Sequence, residues 1–463
     1  MQRPITSFTK KKDDDLKEAD ANNIEQYLDF MYEEQFETKV KGARMILYLS
    51  LDPNNLYNFT SNEQIFSILS RNLKELHSKN MELTIHILTF FYGYSCYETF
   101  HPLLIDYGIG EACINIINFQ YSKYIIRKDD LNQKYSNQNP EFKKELDKFL
   151  FMIKKQDRIL RLAFTILINL ADDPRIEKKM VKKDVVLLLT RNLQRSNVNL
   201  IVILLLFIKK LSIYNINKNE LIFNKFVDNL GNLFSYTHQL ILSLTLDIIF
   251  NLSFDGKFVL QLIERVDIFN QIVSCFKIQN LRGLVLRILY NISKEQNARP
   301  LFAETECIYV LYELLIKFPE PKIGAELAAL TINLTSNSRN CEILAGEGRI
   351  NNLLERAFKN NDCYLTKIIK NVIKFSENED IKDLFEKEVD KFIETLQNKV
   401  SSDEFAIELI EILSSVETNW ETKINQYGLI EFIETNLEKI GNRELLTKVI
   451  MFISNIGTSK VSI

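Results

Sequence analysis

Apolar residues return along this chain at i, i+3, i+4 and i+7, the spacing of one buried stripe on a helix. Ala163, Ile166, Leu167 and Leu170 show it, and Val285, Ile288, Leu289 and Ile292 repeat it. Each such helix ends on one phrase: Asn or Lys, a large apolar residue, then usually Ser, Ala or Thr. The copies read INLA, KKLS, FNLS, YNIS, INLT and IKFS, with anchors Leu170, Leu211, Leu252, Ile292, Leu334 and Phe375 about every 41 residues. Fainter copies sit at Leu413 and Ile453. This period matches armadillo and HEAT repeats, at about 40–47 residues, and is too long for tetratricopeptide or ankyrin repeats.

A second apolar helix precedes each copy, as in 185–193, 269–276 and 308–315, and such pairs bury their faces only when neighbours stack. The pattern predicts an all-α fold, an armadillo-repeat right-handed α-solenoid. Polar turns such as Ala171 to Pro174 and Thr335 to Ser338 stop one helix and start the next. Residues 1–25 lack periodicity and read as a flexible tail. Residues 26–117 read as N-terminal armadillo-like repeats, with anchors at Leu49 and near Tyr94. Residues 118–157 are a charged insertion, helical or partly disordered, with a polar centre at Tyr135–Pro140. Residues 158–463 hold about seven repeats, the last incomplete or uncapped.

Composition narrows the function classes. Gly and Pro number only 13 and 8, which disfavours a turn-rich fold, while 46% apolar and 26% charged residues describe a folded, water-soluble chain. The net charge of −3 gives no overall pull towards nucleic acid or an anionic membrane, although local basic patches stay open. The stretch Thr9 to Asp15 is charged where a secretory signal needs apolar residues, and the apolar run Leu200–Ile208 is half of a bilayer span. A cytoplasmic protein with no direct membrane insertion and no nucleic-acid partner is expected. Six cysteines without a CxxC pair suggest neither disulfides nor zinc. The sequons at Asn58, Asn251, Asn291 and Asn333 read as coincidental without a secretory route.

Signatures of catalysis are missing: no GxxxxGK[ST] cradles phosphate, no HExxH holds zinc and no GxSxG exposes a nucleophile. Gly108-Ile-Gly110 has Cys113 at the third-glycine position and lies between predicted helices, so it reads as a turn, as does Gly346-Glu-Gly348. His77, His86, His101 and His238 are too scattered for a ligand set, and Asp172-Asp173 suits a helix terminus. A non-enzyme without cofactor or metal is expected.

The informative row is the residue just before each anchor: Asn169, Lys210, Asn251, Asn291, Asn333 and Lys374. Asn is a poor helix former and its amide is costly to bury unpaired, so recurrence at one phase implies a shared job. Two jobs are open: tying a helix to the neighbouring repeat, or lining the concave face to hold an extended peptide. One turn earlier the face carries Thr165, Leu206, Asp247, Arg287, Ala329 and Lys370, with none of the tryptophans that armadillo import adaptors use. The single tryptophan, Trp420, lies away from the row. Lys209, Lys210, Arg287, Lys370 and Lys374 would make part of the concavity electropositive and receptive to an acidic segment, or form a solvated lysine face.

Several stretches resemble, in order and spacing, the armadillo region of the kinesin-associated protein family: LRLAFTILINLADDPRIEKKM (160–180), LTLDIIFNLSFD (244–255), LRILYNIS (286–293) and INLTSNSRNCEILAGEGRINNLLERAFK (332–359). FHPLLIDYGIGEACINII (100–117), the insertion after it and NWETKINQYGLIEFI (419–433) extend the resemblance over most of 41–463. It implies a non-catalytic adaptor subunit of kinesin-II that binds the motor heavy-chain tails and links them to cargo adaptor proteins in ciliary or vesicular transport. The implied location is cytoplasm, cilium and cytoskeleton. Compared with that family the N-terminal region is shorter and the C-terminal repeats fewer, the chain ending at Ser462-Ile463, so a shortened paralogue or truncated gene model is expected. Two other readings share the architecture: a regulatory or exchange factor for a small GTPase, and a generic armadillo interaction scaffold.

Overall fold

The computed structural model describes residues 19–134, 140–172, 174–398, 402–416, 418–437 and 442–458. Among them there are helices and no strands, and the fold is an all-α armadillo-type solenoid. The reading of Tyr135–Pro140 falls largely outside these residues, as do the first 18 residues of the tail and the terminal Ser462-Ile463. A 3-10 turn at Ala21–Asn23 and a helix at Ile24–Phe30 start within the stretch read as tail.

The chain divides into two compact units, 1–248 and 249–463. In the first, the helices carrying the stripes are α1 (Phe36–Ser50), α2 (Met81–Ser95), α3 (Ile109–Lys134), α4 (Pro140–Leu170) and α5 (Val198–Leu211). Helix α6 (Gln239–Leu252) contains the division point. In the second unit they are α7 (Arg282–Ser293), α8 (Ala325–Leu334), α9 (Cys363–Phe375), α10 (Asp403–Ser415) and α11 (Arg443–Thr458). Within the first unit α1 packs on α2, α2 on α4 and α4 on α5; within the second, α7 to α11 pack in sequence. The anchors lie inside each unit: Leu49, Tyr94, Leu170 and Leu211 are buried in the first, and Leu252, Ile292, Leu334 and Leu413 in the second.

Polar residues just ahead of these helices fix where they begin. The side chains of Asn80, Asn197, Asp362, Ser402 and Asn442 accept from backbone N–H groups of the first turns of α2, α5, α9, α10 and α11. Each cap satisfies a donor that the helix itself cannot, an effect of about 1 kcal/mol.

Two anchors are corrected. Phe375 is half-buried, whereas Val372, three residues earlier, is fully buried. At the last copy Ile453 is exposed, and its neighbour Phe452 turns inward to meet Trp420 edge-on at 5.2 Å.

Helices α3 and α4 exceed the others, with 26 and 31 residues. They run antiparallel over the stretch read as an insertion. Gln156 donates to the Gln120 carbonyl at 3.3 Å, Tyr124 stacks on Phe149 with ring centres 5.9 Å apart, and Arg127 pairs with Glu145 at 3.1 Å. At the base of this pair Arg195 reaches in from the turn before α5. It is 3% exposed, bonds Asp157 at 3.0 Å and lies 4.2 Å from the Tyr124 ring centre. Burial pushes the Asp157 carboxyl up, and the Arg195 charge opposes that push.

Candidate functional site

The row before the anchors sits on the helix ends, and the structure shows what most of its members touch. In the first unit the Asn169 amide donates to Ser95 Oγ at 3.0 Å. In the second, Asn291 donates to Ser253 Oγ at 2.9 Å and Asn333 to Ser293 Oγ at 3.1 Å. All three serines are buried, and each donates its own proton to a carbonyl three residues back: Ser95 to Tyr92 at 2.8 Å, Ser253 to Phe250 and Ser293 to Tyr290 at 2.7 Å. An amide before one anchor and a serine after the preceding anchor therefore form a relay, which Asn-apolar-Ser encodes whole at Asn291-Ile292-Ser293. The amide of one repeat reaches the hydroxyl of the preceding one, and that hydroxyl bonds its own helix. Each link contributes about 1 kcal/mol net, and breaking it leaves a buried polar group unpaired. Asn251 lies half-buried at the same phase.

Where the row carries lysine the tie changes chemistry. Lys210 Nζ donates to the Ile168 carbonyl at 3.0 Å and to Asp172 at 2.6 Å. At the repeat read as IKFS the tie comes from Asn371, which donates to Thr335 Oγ1 and the Ile332 carbonyl, each at 3.2 Å. Lys374 is not at the tie. It is exposed, its ammonium 5.3 Å from the Phe375 ring centre. The amide before the true anchor, Val372, identifies the register that Lys374-Phe375-Ser376 mimics. The hydroxyls of Ser95, Ser253, Ser293 and Thr335 and the amide of Asn371 are thus the members of this row that sequence reasoning missed. The signal for the hydroxyls was the Ser or Thr that follows most anchors.

The expectation of an electropositive face also needs correcting. Lys209 pairs with Asp247 at 2.7 Å and Lys210 with Asp172 at 2.6 Å. Lys370 pairs with Glu408 at 2.6 Å and with Glu411, which also takes Lys448 at 2.5 Å. Burial opposes the Lys370 charge, but its bonds to Glu408 and Glu411 outweigh burial and hold the ammonium above its ordinary range. These lysines are neutralised across repeat boundaries. Among the described residues, Arg287 and Lys374 have no carboxylate partner. Arg287 is exposed with its guanidinium 5.6 Å from the Phe250 ring centre, beside Tyr290 and Lys294, which approach each other to 4.7 Å. The second unit thereby carries an aromatic and cationic surface beside its amide relay.

No group of three or more His, Cys, Asp or Glu is placed to hold a metal among the described residues. Gly108 and Gly348 take positive φ, 65° and 74°, as turn residues. Burial pushes the Cys275 thiol up to about 11 and, with help from Glu342, the Cys341 thiol up to about 12, so both stay protonated at neutral pH.

His86 is different: burial, against an opposing Glu82 and with help from Arg158 and Arg44, lowers it to about 4, and its Nδ1 is buried without a hydrogen-bond partner. In the unfolded chain the ring titrates near 6.5, so the unfolded state binds the proton first as pH falls. The contribution of neutral His86 is complete above 6.5 and is lost between 6.5 and about 4. Melting temperatures followed from pH 7 to 4.5 should fall less steeply for His86→Gln than for the native chain; parallel curves would contradict this.

A family model described as kinesin-associated protein (KAP) matches residues 4–462. Among solved structures, an engineered protein aligns over 94% of this chain and 99% of its own length at 14% identity, with a TM-score of 0.53. A chain from a structure concerning a phosphorylation switch in the interaction between cadherin and beta-catenin covers 94% of each at 9% identity, with a TM-score of 0.49. A second engineered protein covers 59% of this chain and 100% of its own at 10% identity, with a TM-score of 0.43.

Proposed function

The chain belongs to the kinesin-associated protein family, and from that premise we propose that it is an adaptor subunit of kinesin-II, binding the motor heavy-chain tails and linking them to cargo adaptor proteins. The observation that carries this reading is the family match over residues 4–462, nearly the whole chain. The family is a non-catalytic adaptor family, so the work to explain is binding.

Stacked repeats supply a long face with few internal demands on its outermost side chains. In the second unit the relay amides of Asn291 and Asn333 hold the repeats, while Arg287, Lys374 and Phe254 are exposed and the Phe250 and Tyr290 rings beside them half-buried. A tail segment with carboxylates spaced along an extended or helical stretch would pair with these cations, and its apolar side chains would lie on Phe250, Phe254 and Tyr290. Within the second unit Lys370 holds the helices beside this surface through its bonds to Glu408 and Glu411, as Asn169 and Lys210 hold repeats together within the first. Transport along cilia or of vesicles, and a cytoskeleton-associated pool at the cilium, follow from the same reading. No helix among the described residues is long and apolar enough to cross a membrane.

Mass spectrometry of proteins that co-purify with the tagged chain from ciliated cells tests the proposal. Kinesin-II motor subunits are the expected product; their absence, with small GTPases or unrelated proteins recovered instead, would overturn it.

A further inference from the structure

We propose that the outward face of α4 docks on an anionic lipid membrane. Phe149 faces α3 and is buried, which fixes the rotation of this helix. At 100° per residue, Lys143, Lys144, Lys154 and Lys155 then gather on the side turned away from α3, around Phe151. Phe151 is 62% exposed and Leu150 is 46% exposed. The Lys155 ammonium sits 5.0 Å from the Phe151 ring centre, so cation and wedge stand side by side.

Carboxylates on α4 do little to cancel this charge. Glu145 points towards α3, where it takes Arg127 and Lys148, and Asp157 is buried with Arg195. Among the described side chains of α4, Asp147 is the one acid on the lysine face. Four ammonium groups on a rigid helix, with an aromatic and an aliphatic side chain standing out beside them, match the chemistry of an anionic bilayer surface. Lysines collect at the headgroups, and Phe and Leu enter the acyl boundary. The two apolar groups stand out as single projections from an outer helix face, which suits a fluid surface better than a polypeptide needing a complementary groove. The net charge of the whole chain, −3, conceals this local excess.

Flotation of the full chain with vesicles tests it. Vesicles of phosphatidylcholine with about 30% phosphatidylserine should carry the chain up at low salt, vesicles of phosphatidylcholine alone should not, and added salt should release it. Substituting Lys143, Lys144, Lys154 and Lys155 together by Glu should abolish flotation, and Phe151→Ser should weaken it about tenfold, with melting unchanged because all five side chains lie outside the packed interface. No flotation by the native chain, or equal flotation by the lysine variant, would overturn the proposal. So would displacement by a polyglutamate peptide that is indifferent to Phe151→Ser, which would assign the face to an acidic polypeptide.

Discussion

Arg195→Ala should lower the stability of the 1–248 unit by about 3–5 kcal/mol, the cost of leaving one partner of a buried ion pair uncompensated. Arg195 and Asp157 are 3% and 4% exposed, and Gln156 beside them is fully buried. Removing the guanidinium takes away the bond to Asp157 at 3.0 Å and the cation over the Tyr124 ring, and no water replaces them without opening the base of the α3–α4 pair. The ion pair is a fastening more than a source of net stability. Joint replacement by Asp157→Leu and Arg195→Met should therefore cost much less than either single change, and a double-mutant cycle reads the difference. The pH dependence has a definite sign. Burial already raises the Asp157 carboxyl, and without Arg195 it rises further, so the native state of the variant takes up a proton before the unfolded chain does. The deficit should shrink as pH falls, since protonated Asp157 buries no charge. Urea midpoints at pH 7 and pH 5 would show this, and a deficit that is the same or larger at pH 5 would contradict it.

Asp362→Ala should cost the second unit about 2–4 kcal/mol, from two separate losses that meet in one carboxylate. One oxygen caps α9 by accepting from the Tyr364 and Leu365 N–H groups at 3.1 and 3.2 Å. The other accepts from the Ile323 N–H at 2.7 Å, 39 residues earlier in the chain. The side chain is fully buried, so the Ile323 donor it abandons finds no solvent. Asp362→Asn keeps an acceptor for the cap but turns an amide N–H towards Ile323, and should fall between the native chain and Asp362→Ala. Denaturant titration with a reporter in the 249–463 unit measures the order. An alanine variant as stable as the native chain would remove this carboxylate from the ties between repeats.

Much of the architecture was legible because its cause is local. A stripe at helical spacing and a period near 41 residues need only the sequence of each copy, and the amide row could be seen as meaningful since Asn is expensive at such positions. The partner of each amide was not legible, although the Ser or Thr after most anchors was in view. Register failed at Phe375 and at Ile453, where a neighbouring apolar residue, Val372 or Phe452, fits the stripe as well and only packing decides. The charge of the face was misjudged for a further reason. Asp172, Asp247, Glu408 and Glu411 are about one repeat away from the lysines they neutralise, beyond any local pattern. Arg195 stood in no motif, and its partner Asp157 closed a segment read as an insertion.

The affinity of the purified chain for a kinesin-II heavy-chain tail fragment, measured by calorimetry, tests the adaptor account most directly. Arg287 and Lys374 are exposed and outside the relay, so reversing both by Arg287→Glu and Lys374→Glu leaves the fold intact. The account predicts a complex with the native chain and binding weakened about tenfold or more by the double reversal, with unchanged melting. No complex with the native chain, or equal affinity for both, would contradict it.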